Sequence, residues 1–133
     1  MTSSAPSIEL TDDAERQTDI YVRAFNAGDA EALSELYTED AVSVWEPGKP
    51  LTGQAHQHAL KEFLAQKPRM SATVRHSYVT GDTTLLVVDW QITVPGADGA
   101  EAEELRGVGL DVLRRGADGN WRYAIDNPYG EKV

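Results

Sequence analysis

Apolar residues recur at two spacings along the chain, and the spacing changes once. In the first half Ile20, Tyr21, Ala24 and Phe25 follow one another at helical intervals, as do Leu33, Leu36 and Tyr37, and then Leu60, Phe63 and Leu64. Steps of three and four residues bring such positions onto one face of a helix. From Arg69 onward the pattern is extended: MSATVRHSYV, TTLLVVDWQITV, LRGVGLDVLRR and WRYAIDN are rich in β-branched and aromatic residues and are separated by TGDT, GADGAE and GADGN. Such runs between turn-forming clusters predict strands, with Gly81 supplying the hairpin conformation that other residues avoid.

Local chemistry sets the expected boundaries. Asp12 with Glu15 three residues on is a capping pair for the first helix, Gly28 is its stop, and Asp29 caps the second. AVSVW, residues 41–45, reads as a short strand, EPGKPLTG as an irregular connection, and QAHQHALKEFLAQK, residues 54–67, as a third helix ended by Pro68. Residues 1–10 lack periodicity and read as a flexible arm, leaving 11–133 as a single domain. Three helices, one short strand and a four-strand meander predict an α+β fold, an antiparallel sheet with helices packed on one face.

Composition narrows the function. The formal net charge is −10, from 22 acidic against 12 basic residues, so nucleic acid and anionic membrane are not expected partners. No stretch reaches the length of a membrane span and no basic, apolar leader opens the chain, which makes the cytoplasm the expected location. Cysteine is absent, removing thiol chemistry. There is no glycine-rich phosphate loop and no G-x-S-x-G elbow, and His56 and His58, two apart on a helix, point to different sides; neither a cofactor nor a metal is expected.

One carboxylate is out of place. In LRGVGLDVLRR, alternation puts Leu105, Gly107, Gly109, Asp111 and Leu113 on one sheet face and Val108, Leu110 and Val112 on the other. Glycines within a strand often mark close approach of another group, here read as a ligand near Gly107 and Gly109. Together with the apolar row Leu86, Val88, Trp90, Ile92 and Val94, this leaves one sheet surface too apolar to stay bare, which predicts a homodimer through the sheet.

These residues resemble the nuclear transport factor 2-like, or SnoaL-like, superfamily, which includes ketosteroid isomerases, polyketide cyclases and scytalone dehydratases. The carrying stretch is YVRAFNAGDAEALSELYTEDAV, with its NAGD turn and Leu-Tyr-x-x-Asp-Ala entry into a strand. The resemblance implies a cone-like curved antiparallel sheet with three N-terminal helices on its concave face. The ketosteroid isomerase branch is closest in motif. Tyr21, five residues before the Asn of NAGD, and Asp111 in the penultimate strand are similar to that branch's oxyanion-hole donors, and YGEK at 129–132 resembles its ending. In such a pair an acid held neutral by an apolar pocket donates a hydrogen bond beside a tyrosine. The chain departs at the base: without a gap Trp45 falls there, and a one-residue insertion brings Glu46.

The candidate catalytic residues are therefore Tyr21, Asp111, Glu46, Asp89 and Asp126, the last two because the resemblance implies an acid, or a His-Asp pair completed by His76, on these strands. Candidate ligand-binding residues are Trp45, His56, Phe63, His76, Trp90, Gly107 and Gly109. Plainer readings stand beside these: Asp111 paired with Arg122 or Arg106, Tyr21 a core tyrosine, Glu46 a solvated loop residue, His76 a packed histidine. The implied function is a cofactor-independent isomerase, cyclase or dehydratase acting on an apolar, carbonyl-bearing, polyketide- or steroid-like molecule. A non-catalytic carrier or accessory dimeric protein of a biosynthetic pathway is the alternative.

Overall fold

The computed structural model describes residues 9–131, so the expected arm lies outside the described residues except for Glu9 and Leu10. Asp13, rather than Asp12, opens the first helix: its Oδ1 accepts from the Glu15 N–H at 3.0 Å. The Asp12 carbonyl instead receives the Trp121 indole N–H at 3.2 Å. A 3-10 turn, Ala14–Arg16, leads into α1, Gln17–Asn26. Gly28 sits at φ 71°, the left-handed conformation glycine tolerates, and Asp29 caps α2, Ala30–Glu35, by accepting from the Ala32 N–H at 3.0 Å.

Tyr37, expected on the second helix, is the first residue of β1, Tyr37–Glu46. The Leu36 carbonyl accepts from the Tyr123 N–H at 2.8 Å, so a bond to the sheet replaces the next helical one. The stretch expected to be irregular contains a second strand, β2, Lys49–Leu51, folded back on β1 across Gly48. The third helix, α3, Gly53–Leu64, is shorter than its sequence pattern because Lys67 takes a left-handed φ of 57° ahead of Pro68.

Strands β3, Arg69–Thr80, β4, Thr83–Val94, β5, Glu103–Arg115, and β6, Trp121–Asn127, form the expected meander. The full order is β2-β1-β6-β5-β4-β3, in a curved, open sheet. The β1–β6 pair is parallel, a departure from an all-antiparallel sheet. It arises because the meander carries the chain back to the strand that preceded α3.

β4 alternates buried and half-buried residues along its length, with Leu86, Val88, Trp90, Ile92 and Val94 inward. Its register sets Leu86 opposite Asp111, Val88 opposite Gly109 and Trp90 opposite Gly107, so the apolar row and the carboxylate share the concave face. The helices close over that face with Ile20, Phe25, Leu33, Leu60 and Leu64 in the same core.

Candidate functional site

Between the helices and the concave sheet lies a cavity of about 210 Å³. Phe25 of α1, Phe63 of α3, Trp45 of β1, Met70 of β3 and Trp90 of β4 form its apolar wall, and Tyr21, Asp111 and Asp126 stand at its polar corner. Among the described residues, no lysine, arginine or histidine lines it.

The corner is built across three strands. Ser43 of β1 faces Asp126 of β6, and Asp126 faces Asp111 of β5 in one transverse row. Strict alternation along WRYAIDN would put Tyr123 and Asp126 on opposite faces. The register slips where Val112 pairs with Ile125 but Leu113 with Tyr123, leaving Ala124 as the extra residue of a bulge. Both Tyr123 and Asp126 consequently turn inward and line the cavity.

Hydrogen bonding at the corner is directional. The Tyr37 hydroxyl donates to Asp126 Oδ2 at 2.6 Å, and the Tyr37 and Tyr21 hydroxyls are 3.4 Å apart. Because Tyr37 has one proton and gives it to the carboxylate, it cannot also donate to Tyr21; the Tyr21 O–H has the Tyr37 oxygen and the cavity within its reach. Tyr123 packs edge-on against Tyr21 at 5.5 Å between ring centroids and lies tilted against Tyr37 at 5.3 Å. Burial, reinforced by the nearby carboxylates, raises all three phenols above their ordinary range, so they act as neutral donors.

Asp111 is 9% exposed, and its Oδ1 has no hydrogen-bond partner within the protein. Burial first, then the charge of Asp126 and the hydrogen bond the two carboxyls share, hold Asp111 well above the usual carboxylate range; one bond from the Asn127 backbone opposes this. Two acids this close in a dry site hold a proton between them. Neither candidate cation neutralises Asp111: Arg122 is bound to Asp118 at 2.7 Å, and Arg106 is exposed.

The other expected site residues divide. Trp45, Phe63, Trp90 and Gly109 line the cavity. His56 is buried behind it, with Nε2 3.0 Å from the Ser43 hydroxyl and its ring 4.6 Å from that of Tyr37. Burial lowers its pKa, favouring the neutral ring. Gly107 makes room for the protein itself: a Cβ there would stand 3.0 Å from the Trp90 indole and 3.1 Å from the Pro128 carbonyl, which accepts the Trp90 N–H at 2.7 Å.

Three candidates lie elsewhere. Glu46 is exposed and ion-paired with Lys49 at 3.0 Å, outside the cavity. Asp89 lies between the inward Val88 and Trp90, so it points outward and binds Arg75 at 3.0 Å. His76 is turned outward by a bulge at Arg75, since Val74 pairs with inward Val88 but His76 with outward Val87; its ring stacks on Tyr78 at 5.9 Å. The sequence reading missed Tyr37 and Tyr123. Tyr123 was hidden because strict alternation sets it on the face opposite Asp126, and Tyr37 by its helical spacing from Leu33.

Three helices over the concave face of a curved six-stranded sheet, with a cavity between them, define a class of α+β cones. The chain belongs to the SnoaL-like domain family, whose model matches residues 19–124. Among solved structures it is similar to a conserved protein from Planctomyces limnophilus, at 24% identity and TM-score 0.77 over 84% of this chain and 88% of that one. It is also similar to a provisionally named scytalone dehydratase from Novosphingobium aromaticivorans, at 18% identity and TM-score 0.75 over 85% and 78%. A third is a nuclear transport factor 2-like protein with a cystatin-like fold from the same organism, at 22% identity and TM-score 0.69 over 85% and 76%. At these identities the likeness is one of fold. No curated protein matches the chain significantly.

Proposed function

We propose that the cavity binds an uncharged, apolar, carbonyl-bearing molecule and that its polar corner moves protons on that molecule, as an isomerase, cyclase or dehydratase does. The observation that carries this reading is the meeting of Tyr21, Asp111 and Asp126 at one end of an otherwise apolar cavity. Tyr21 and Asp111, the latter turning its proton from Asp126 to the ligand, supply two hydrogen bonds to the carbonyl oxygen, and Asp126, in place of Glu46, accepts the proton from the adjacent carbon. The negative charge that grows on oxygen is met by these two donors. A wall with two acids and no base disfavours anionic ligands, and no step calls on a cofactor. The likeness to a provisionally named dehydratase agrees with such proton transfer.

The test is exchange of α-protons for deuterium in a panel of neutral cyclic ketones, followed by NMR in D2O. The native protein is expected to accelerate exchange of at least one bound ketone. Tyr21→Phe is expected to lose about 100-fold of that rate, and Asp126→Asn about 100-fold or more. Ketones that bind without accelerated exchange would overturn the enzymatic reading. They would support a carrier, the reading favoured by Trp45 standing in the wall where the family resemblance expects a base.

We further propose that two copies associate through the convex face of the sheet, where Leu85, Val87, Leu110, Val112 and Ile125 form a continuous apolar strip across β4, β5 and β6. Ile125 is 42% exposed.

A further inference from the structure

We propose that Tyr37 is the positioning residue that assigns the two carboxyls their roles, keeping the negative charge on Asp126 and the proton on Asp111. This rests on the reading of the corner as a proton-transfer site, and it explains how two like groups come to act as one acid and one base.

The geometry is asymmetric. Asp126 Oδ2 receives the Tyr37 O–H at 2.6 Å, a length typical of a hydrogen bond to an ionised oxygen. Asp111 Oδ1, in contrast, has no protein donor. Were the charge on Asp111, a buried anionic oxygen would be left without a donor while the tyrosine bond was spent on a neutral acid. With the charge on Asp126 the strong bond meets the anion, and the proton stays on the more deeply buried carboxyl.

Tyr37 is held for this task. It is 8% exposed, and its ring is fixed between those of His56, at 4.6 Å, and Tyr123, at 5.3 Å. The titratable groups facing Asp126 are Tyr21 from α1, Tyr37 from β1, His56 from α3, Asp111 from β5 and Tyr123 of its own strand. His56 turns Nε2 to Ser43, and burial favours its neutral form, so no cation competes with Tyr37 for the choice of carboxyl. The Asn127 backbone N–H favours charge on Asp111 but acts against both burial and the neighbouring carboxylate.

The experiment needs no substrate: carbon-13 NMR of the free protein labelled at aspartate Cγ, titrated from acid to alkaline pH, with Asp111→Asn and Asp126→Asn used for assignment. Asp126 is expected to be ionised where Asp111 still holds its proton. In Tyr37→Phe, which removes only the hydroxyl, the gap between the two midpoints is expected to narrow by about one pH unit, with the amide spectrum elsewhere unchanged. An unchanged gap, or Asp111 ionising first in the native protein, would overturn the proposal. Should Tyr37→Phe fail to fold, the native order of ionisation still decides, and Tyr37→Trp, which keeps an aromatic ring without a hydroxyl, gives the second readout. Because no ketone enters the measurement, its failure is separable from failure of the exchange test.

Discussion

Asp111 occupies a strand position between Leu110 and Val112 that apolar packing alone would fill with another hydrophobe. Its raised pKa links the site to stability. A carboxyl whose folded pKa lies above its unfolded value contributes stability that is complete below the unfolded pKa and is lost as pH rises toward the folded one, because over that interval the unfolded chain binds fewer protons. Asp111→Asn, which cannot ionise, is therefore expected to gain stability relative to the native protein as pH rises from about 4 toward neutrality. Below that range the gain should disappear. Thermal melts across pH check this, and a gain equal at all pH values would mean that the carboxyl's ionisation is not the cause. A functional group that costs stability at working pH is the pattern expected of a site rather than of a core.

Between elements, the cavity depends on how α1 is fastened to the edge of the sheet. Asn26, the last residue of α1, makes two bonds to Met70 of the edge strand β3: its Nδ2 donates to the Met70 carbonyl at 2.9 Å, and its Oδ1 accepts from the Met70 N–H at 2.7 Å. This clasp satisfies edge backbone groups and holds Met70 against the cavity. Asn26→Ala is expected to cost about 2 kcal/mol, since the partners on β3 are left unpaired. The cost should appear in chemical denaturation, together with weaker ligand binding. Helix starts and stops at Gly28 and Asp29 were legible because they depend on neighbouring residues alone. The displaced Tyr37 was not, because a bond from the distant strand β6 ended that helix.

For the whole molecule, the two faces of the sheet set two kinds of contact. The concave face is closed by helices and cavity, while the convex strip around Val112 is the surface we propose for association with a second copy. Val112→Lys is expected to shift the mass measured by light scattering from dimer to monomer, because a charge in the centre of an apolar interface is desolvated without a partner. An unchanged mass would place any association elsewhere. The net charge of −10 adds no attraction between copies, so apolar area is what such an interface has to rely on. No helix among the described residues is long and apolar enough to cross a membrane.

The sequence by itself determined the element order, the helical and extended periods, the family resemblance and the placing of Tyr21 and Asp111, because each depends on a local repeat or a short motif. Tertiary structure decided which acids meet. A bulge at Ala124 turned Asp126 into the cavity beside Asp111, and another at Arg75 turned His76 away from it. Alternation along a strand predicts faces only while the ladder keeps its register. An extra residue reverses every face beyond it, and where that residue is accommodated is decided by the hydrogen bonds of the neighbouring strand, which lie far away in the chain.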